Sequence, residues 1–225
     1  KVKRCVITSS TMAMCATDKA DMPPEGQKWN ETYWSDPERP KGQNDFYEQM
    51  QAYANSKTKG EKTAWDFQAN QPENERFEIA TINPCFIMGP SICSGDGTSE
   101  GWMTAMVNGT HEKIPRAYIG FCDVRDVALA HLKAIQVAEA ANKRFIICTA
   151  DIHFRDVANA LAPVFNPKGF KVPTVEADGE DPTGGRDADN SRSREVLGLE
   201  YTPYEQTMTD MVNSLIDSGK VKPSA

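Results

Sequence analysis

Short apolar runs alternate along the chain with longer segments in which apolar residues recur every three or four positions. The runs are rich in β-branched residues and predict buried strands at 2–8, 77–83, 117–121, 144–149 and 172–175. The periodic segments predict helices at about 45–70, 99–107, 123–141, 153–165 and 204–217. Strands that alternate with helices in this way are typical of an α/β fold with a parallel sheet.

The helix predicted at 45–70 carries Tyr53 and Lys57, which stand four positions apart and therefore project from one helix face. A positive charge beside a phenol stabilises the phenolate, so this pair could exchange a proton with a bound ligand. The same spacing also arises by chance on helices whose face is simply solvated. The pair alone therefore leaves both interpretations open.

Polar groups follow the first predicted strand at the point where it ends. Thr8, Ser9 and Ser10 place hydroxyls at the carboxyl edge of the sheet, where open α/β sheets bind their ligands. After the strand at 77–83, the prolines at both ends of segment 84–90 predict a sharp turn that presents backbone groups to a flat ligand. The two strand ends are therefore candidate parts of one site.

A polar excursion at 11–44 separates the first strand from the helix of Tyr53. It is rich in Pro, Asp, Glu, Gly and Trp, and this composition predicts a mostly irregular segment. Loops of this length inside a compact domain are usually functional, so it could form one wall of a substrate pocket. A surface insertion explains the same composition, and both interpretations stay open.

Composition narrows the possible partners of this 225-residue chain. A net charge of -7 without a long basic run argues against nucleic acid or an anionic membrane as the main partner. No apolar run approaches the roughly 18 residues of a membrane span, and the chain does not start as a signal peptide does. The cysteines and histidines are scattered without metal-ligand spacing, so we expect thiols, no metal site and a cytoplasmic location.

Four motifs occur in one order: Thr-Ser-Ser at 8–10, Tyr-x-x-x-Lys at 53–57, Asn-Pro-x-x-x-x-Gly-Pro at 83–90 and Asp-Val-Arg-Asp-Val-Ala-x-Ala-His at 123–131. Together they resemble the extended short-chain dehydrogenase/reductases, specifically the dihydroflavonol reductase and cinnamoyl-CoA reductase group. The resemblance implies the later strands of a Rossmann-like, doubly wound parallel sheet. It divides the chain into an NAD(P)-binding part at 1–150, which holds the catalytic residues, and substrate-lobe segments with a closing helix at 151–225.

The resemblance also implies a role for each candidate residue. Ser10 would hydrogen-bond the carbonyl oxygen of a small-molecule substrate, Tyr53 would give that oxygen its proton, and Lys57 would hold the nicotinamide ribose. The full set of implied cofactor contacts is Thr8, Ser9, Tyr53, Lys57, Pro84, Cys85, Phe86 and Ile87. The implied cofactor is NADP, with NAD as the alternative. The implied activity is that of an oxidoreductase that reduces a carbonyl group of ketone, aldehyde or acyl-CoA type by hydride transfer.

The resemblance implies a glycine-rich turn and further strands before Val2, and the given sequence does not contain them. We therefore expect either a preceding segment or a partner to cover the first strand. Three hypotheses follow: the later part of a longer reductase, a non-catalytic assembly subunit with a relict reductase fold, and a nucleotide-sugar epimerase or dehydratase on the same scaffold.

Overall fold

The structure is a computed structural model that describes residues 2–15, 23–24, 26–38, 45–92, 97–180 and 187–223. The chain divides into two compact units. The first contains Lys1–Cys85, Val127–Cys148 and Asp187–Glu200, and the second contains Phe86–Asp126, Thr149–Arg186 and Tyr201–Ala225. The predicted division of function at residue 150 stays a prediction.

The strands and helices of the described residues follow in chain order. The strands are β1 (Arg4–Thr8), β2 (Glu78–Pro84), β3 (Phe86–Met88), β4 (Tyr118–Asp123), β5 (Lys143–Ile147) and β6 (Ala150–His153). The helices are α1 (Asp45–Ala69), α2 (Thr98–Val107), α3 (Val124–Gln136), α4 (Phe154–Phe165), α5 (Ser191–Leu197) and α6 (Tyr204–Asp217).

The first unit is built on a parallel sheet in the order β1-β2-β5. Thr8 pairs with Ile82 and Pro84 pairs with Ile147, so the three strands end at one edge. The middle strand, β2, is buried from Ile79 to Pro84 because it has a strand on each side. This sheet confirms the predicted α/β fold with parallel strands.

Helix α1 runs antiparallel to the strands of this sheet. Gln68, near the end of α1, donates hydrogen bonds to the carbonyl of Phe77 and the side chain of Asn142, just ahead of β2 and β5. Glu61, two turns earlier, contacts the carboxyl end of β2. Because a helix rises about 1.5 Å per residue, Tyr53 lies about 12 Å further along the axis, beyond the carboxyl edge of the sheet.

The second unit has a sheet in the order β3-β4-β6, in which β3 is parallel and β6 is antiparallel to β4. Helix α6 packs against α2 and α4 in this unit. Its core is apolar, and the fully buried residues include Met88, Met103, Met106, Phe121, Leu161, Phe165 and Met208. The methionines of α6, Met208 and Met211, therefore belong to this core.

Three short elements differ from the predictions. The predicted turn at 84–90 contains β3, and directly after that strand Gly89 has a φ of 115°, a conformation that favours glycine. Strand β6 was not predicted because it directly follows β5 and is four residues long. The strand predicted at 172–175 does not form, since Pro173 cannot donate to a ladder, and isolated bridges lie on either side of it at Lys171 and Glu176.

Two findings bear on the setting of the protein. In the part of the chain that the structure describes, every helix is either too short or too polar to cross a membrane. The described cysteines, Cys5, Cys15, Cys85, Cys122 and Cys148, are thiols, while Cys93 lies outside the described residues.

Arg4 connects the start of β1 to the end of α3. Its guanidinium donates to the carbonyls of Ala134 at 2.7 Å and Val137 at 2.6 Å, and to the carboxylate of Glu78 at 2.7 Å. Carbonyls at a helix C-terminus carry partial negative charge and lack partners within the helix, so a cation here satisfies and stabilises them.

We expect Arg4→Met to lower the free energy of unfolding by about 2 kcal/mol, because several charge-assisted hydrogen bonds are lost together. Urea denaturation followed by circular dichroism measures this change. Lys3→Met is the matched control, since Lys3 is exposed and its loss removes the same charge. The control should stay within about 0.5 kcal/mol of the native protein. Equal losses in both variants would contradict the role of Arg4.

Candidate active site

Ser10 lies at the carboxyl edge of the sheet, immediately after β1. It is buried and precedes a 3-10 turn at Thr11–Ala13, whose Met12 amide donates to the Ser10 hydroxyl oxygen at 3.1 Å. The serine backbone carbonyl accepts a hydrogen bond from the Asn83 side chain at 3.2 Å. Because the hydroxyl oxygen accepts from the backbone, its own proton is left to donate to a ligand.

Tyr53 and Lys57 lie together on α1, as their spacing predicts. The Lys57 ammonium is 5.7 Å from the centre of the Tyr53 ring, and 45% of Tyr53 is exposed. Among the described residues, neither the phenol nor the ammonium has a hydrogen-bond partner. The pair therefore offers a proton donor and a cation to solvent beyond the carboxyl edge of the sheet.

The other hydroxyls of the first strand end are engaged within the protein. The Thr8 hydroxyl is 2.7 Å from Nε2 of His131, whose Nδ1 is 2.8 Å from the Val127 carbonyl. A carbonyl can only accept, so Nδ1 carries a proton and Nε2 is the ring atom hydrogen-bonded to the Thr8 hydroxyl. The Ser9 hydroxyl donates to Glu61 at 2.5 Å. The roles of Thr8 and Ser9 toward a cofactor remain predictions.

The predicted cofactor-binding turn begins at the end of β2. Pro84 is the last residue of β2 and its carbonyl accepts from the Thr11 hydroxyl at 3.3 Å, while the Cys85 amide donates to Ile147 at 2.9 Å. The structure therefore brings Pro84 and Cys85 to the same edge as Ser10. Phe86 and Ile87 belong to β3 of the second unit, and their contacts with a cofactor remain predictions.

Glu61 is the residue that the sequence analysis missed. Its carboxylate is fully buried and accepts hydrogen bonds from Ser9, from Asn83 at 2.7 Å and from Arg144 at 2.6 Å. Burial by itself would raise the pKa of Glu61, but the hydrogen bond and charge of Arg144 outweigh it, with help from Ser9 and Asn83, and the pKa is lowered. Its position four residues after Lys57, on the same face of α1, is the signal that could have found it.

Arg144, the partner of Glu61, also fixes part of the polar excursion at 11–44. Its Nη1 donates to the carbonyls of Glu31 at 2.8 Å and Tyr33 at 2.7 Å, and its guanidinium lies 3.7 Å from the centre of the Trp34 ring. Ser35 is buried and donates to carbonyls of the 3-10 turn that follows Ser10. Residues 31–35 of the excursion are thus packed against the strand ends; residues 16–22, 25 and 39–44 lie outside the described residues.

The chain is similar to a family and to individual proteins of known activity. Residues 30–148 match the profile of the NAD dependent epimerase/dehydratase family. The NADPH-dependent methylglyoxal reductase GRE2 of Saccharomyces cerevisiae is 30% identical over 230 residues, which cover 96% of this chain and 64% of that protein. Cinnamoyl-CoA reductase 2 of Medicago truncatula is 30% identical over 221 residues, or 97% of this chain and 60% of that protein.

Solved structures show the same likeness. The crystal structure of yeast methylglyoxal/isovaleraldehyde reductase Gre2 complexed with NADPH matches with a TM-score of 0.78 and 29% identity. The match covers 98% of this chain and 66% of that one. The chain therefore spans less than two thirds of the length of these relatives. Their names confirm the predicted resemblance to the reductase group.

We expect Arg144→Met to lower the free energy of unfolding by roughly 3–5 kcal/mol, because it leaves the buried Glu61 carboxylate without its cation. Denaturation in urea at neutral pH measures the change. The neighbouring Lys143→Met removes the same charge from a less buried site on β5 and should have a much smaller effect. Similar losses in the two variants would show that the ion pair is not essential.

The lowered pKa of Glu61 predicts the sign of a pH dependence. A carboxylate whose pKa is lower in the folded than in the unfolded state stabilises the fold above the unfolded pKa. This contribution is lost as the pH falls through the folded pKa. The stability difference between the native protein and Glu61→Gln should therefore be largest at neutral pH and shrink below the ordinary value of 4.5. A difference that grows on acidification would contradict the assignment.

Proposed function

Because the chain belongs to the NAD dependent epimerase/dehydratase family, we propose that it carries the catalytic residues of an NADPH-dependent reductase that acts on a small-molecule carbonyl compound. The pairing of Tyr53 and Lys57 carries the proposal. They lie on the helix that extends beyond the carboxyl edge of the parallel sheet, where the Ser10 hydroxyl retains a proton to donate.

The described residues fit the nicotinamide end of the cofactor. When bound, the nicotinamide supplies a hydride to the carbonyl carbon. The Lys57 ammonium has three N–H groups and no hydrogen-bond partner among the described residues, so it can donate to ribose hydroxyls. NADPH rather than NADH follows from the names of the relatives, both the yeast reductase and its crystal complex.

The three side chains divide the chemistry of the carbonyl oxygen between them. As the hydride adds to carbon, the C=O double bond becomes a single bond and negative charge develops on oxygen. A hydrogen bond from Ser10 stabilises that charge. Tyr53 transfers its phenolic proton to the oxygen, which completes the alcohol, and the positive charge of Lys57 stabilises the resulting phenolate.

The relatives favour this activity over the two other hypotheses from the sequence. The curated proteins that resemble most of this chain at 30% identity are named as reductases, which supports carbonyl reduction rather than sugar epimerisation. The presence of all three catalytic side chains supports an enzyme rather than a non-catalytic subunit. We propose an aldehyde, a ketone or an acyl-CoA as substrate, and the thiol state of the described cysteines supports a cytoplasmic location.

We expect Tyr53→Phe to reduce the rate of carbonyl reduction by about 10²- to 10⁴-fold, because the variant keeps the ring but lacks the proton donor. The assay follows NADPH absorbance with methylglyoxal, isovaleraldehyde and cinnamoyl-CoA, using the native polypeptide. Tyr118→Phe is the matched control, since Tyr118 is a similarly exposed tyrosine at 38% and lies on β4.

The result has two contrary outcomes. If the native polypeptide consumes NADPH with a carbonyl compound and Tyr53→Phe leaves the rate unchanged, the proposed proton donor is wrong. If none of the three carbonyl compounds is reduced and NADPH fluorescence does not change on mixing, the proposed reductase function is wrong.

A further inference from the structure

We propose that Glu61 is a positioning residue: its buried carboxylate holds Ser9, and through Asn83 the backbone of Ser10, in fixed register with Tyr53 and Lys57 on the same helix. The inference deepens the proposed function and rests on it for its catalytic consequence. We call the group formed by Ser9, Glu61 and Asn83 the edge clamp.

The geometry of Asn83 defines the edge clamp. Its Nδ2 is 2.7 Å from Glu61 Oε2 and 3.2 Å from the Ser10 carbonyl oxygen. Both of those atoms can only accept, so the amide nitrogen must face them, and the amide oxygen is left to accept. The Thr81 hydroxyl lies 2.9 Å from that oxygen and 3.1 Å from Glu61 Oε1, and it can donate its one proton to either. The Asn83 amide therefore has a single orientation.

The edge clamp links two elements that carry different catalytic groups. Ser10 sits at the end of β1, whereas Tyr53 and Lys57 sit on α1. Glu61 contacts the strand end from the same helix, eight residues after Tyr53 and on the same face. A displacement of α1 along its axis could therefore not change the spacing between Ser10 and Tyr53 without breaking the contacts of Glu61.

Arg144 explains why this carboxylate can stay buried and charged. Its Nε donates to the Oε1 atom of Glu61, which leaves Oε2 to accept from Ser9 and Asn83. Replacement of the carboxylate by an amide cannot preserve this pattern. One side of the amide would present N–H groups either to Arg144 or to Asn83, and both of these face Glu61 with groups that can only donate.

The first experiment measures hydrogen–deuterium exchange, which does not require activity. In Glu61→Gln we expect the amides of Ala13 and Met14, which donate to the carbonyls of Ser10 and Thr11, to exchange about tenfold faster. Exchange in α6 of the second unit should not change. Asp66→Asn, which removes an exposed acidic charge from the same helix, should leave both regions unchanged.

Asn83→Ala provides a second variant in case Glu61→Gln does not fold. It removes the link to Ser10 but leaves the ion pair between Glu61 and Arg144 intact, so no charge is buried without a partner. It should show the same local increase in exchange. An unchanged rate at Ala13 and Met14, or an equal increase throughout the protein, would overturn the proposed clamp.

The second experiment tests whether the clamp matters for reduction. With a carbonyl compound that the native polypeptide reduces, Glu61→Gln should lower kcat roughly 10- to 100-fold, since small misplacements of catalytic groups have effects of this size. The dissociation constant of NADPH, measured by fluorescence, should change less than about twofold because Lys57 is retained.

The two experiments separate failure of the inference from failure of the proposed function. Faster local exchange with an unchanged kcat would show that the clamp orders the strand end without positioning catalytic groups, which contradicts the inference. If the native polypeptide reduces no carbonyl compound, the reductase proposal fails, and the expected effect of Glu61 on kcat fails with the reductase proposal. The exchange result then still decides whether Glu61 orders the strand end.

Discussion

A buried ion pair between Glu61 and Arg144 joins most parts of the first unit. Their side chains are almost completely inaccessible, with 0% and 9% exposed. Burying charges is costly unless they are paired and further hydrogen-bonded. Here the compensation comes from the ends of β1 and β2 and from backbone carbonyls of the polar excursion. The requirement to satisfy one ion pair thus sets the relative positions of all these segments.

The sequence predicts those features of the fold that depend on local pattern. Periodicity identifies α1, and apolar runs identify β1, β2 and β5. A helix that is buried on one face has apolar residues every three or four positions, and a strand that is buried on both faces is a continuous apolar run. The pairing of Tyr53 and Lys57 follows from helix geometry alone. Strands β3 and β6 escape prediction because three or four residues are too short to establish a period. Their structure depends on β4, which lies between them.

Glu61 and the polar excursion show why the rest of the site could not be predicted. A glutamate among lysines on a helix has the pattern of a solvated face, and its burial depends on Arg144, which is 83 positions away. Trp29, Glu31 and Ser35 are likewise buried in a segment whose composition is typical of a surface loop. Their backbone groups bond to Asp187 and Asp189, to Arg144 on β5 and to Ala13, and the spacing of residues in the sequence does not predict such contacts.

The end of β1 is held from both layers of the first unit. Thr8 turns toward His131 on α3 and Ser9 toward Glu61 on α1, because successive side chains of a strand point to opposite faces. The strand start is tied to α3 as well, through Arg4. The position of the Ser10 hydroxyl therefore depends both on α1, which carries Tyr53 and Lys57, and on α3, which lies on the other side of the sheet. Laboratory evolution of this scaffold should accordingly yield activity-changing substitutions on α3, in residues that never contact a ligand.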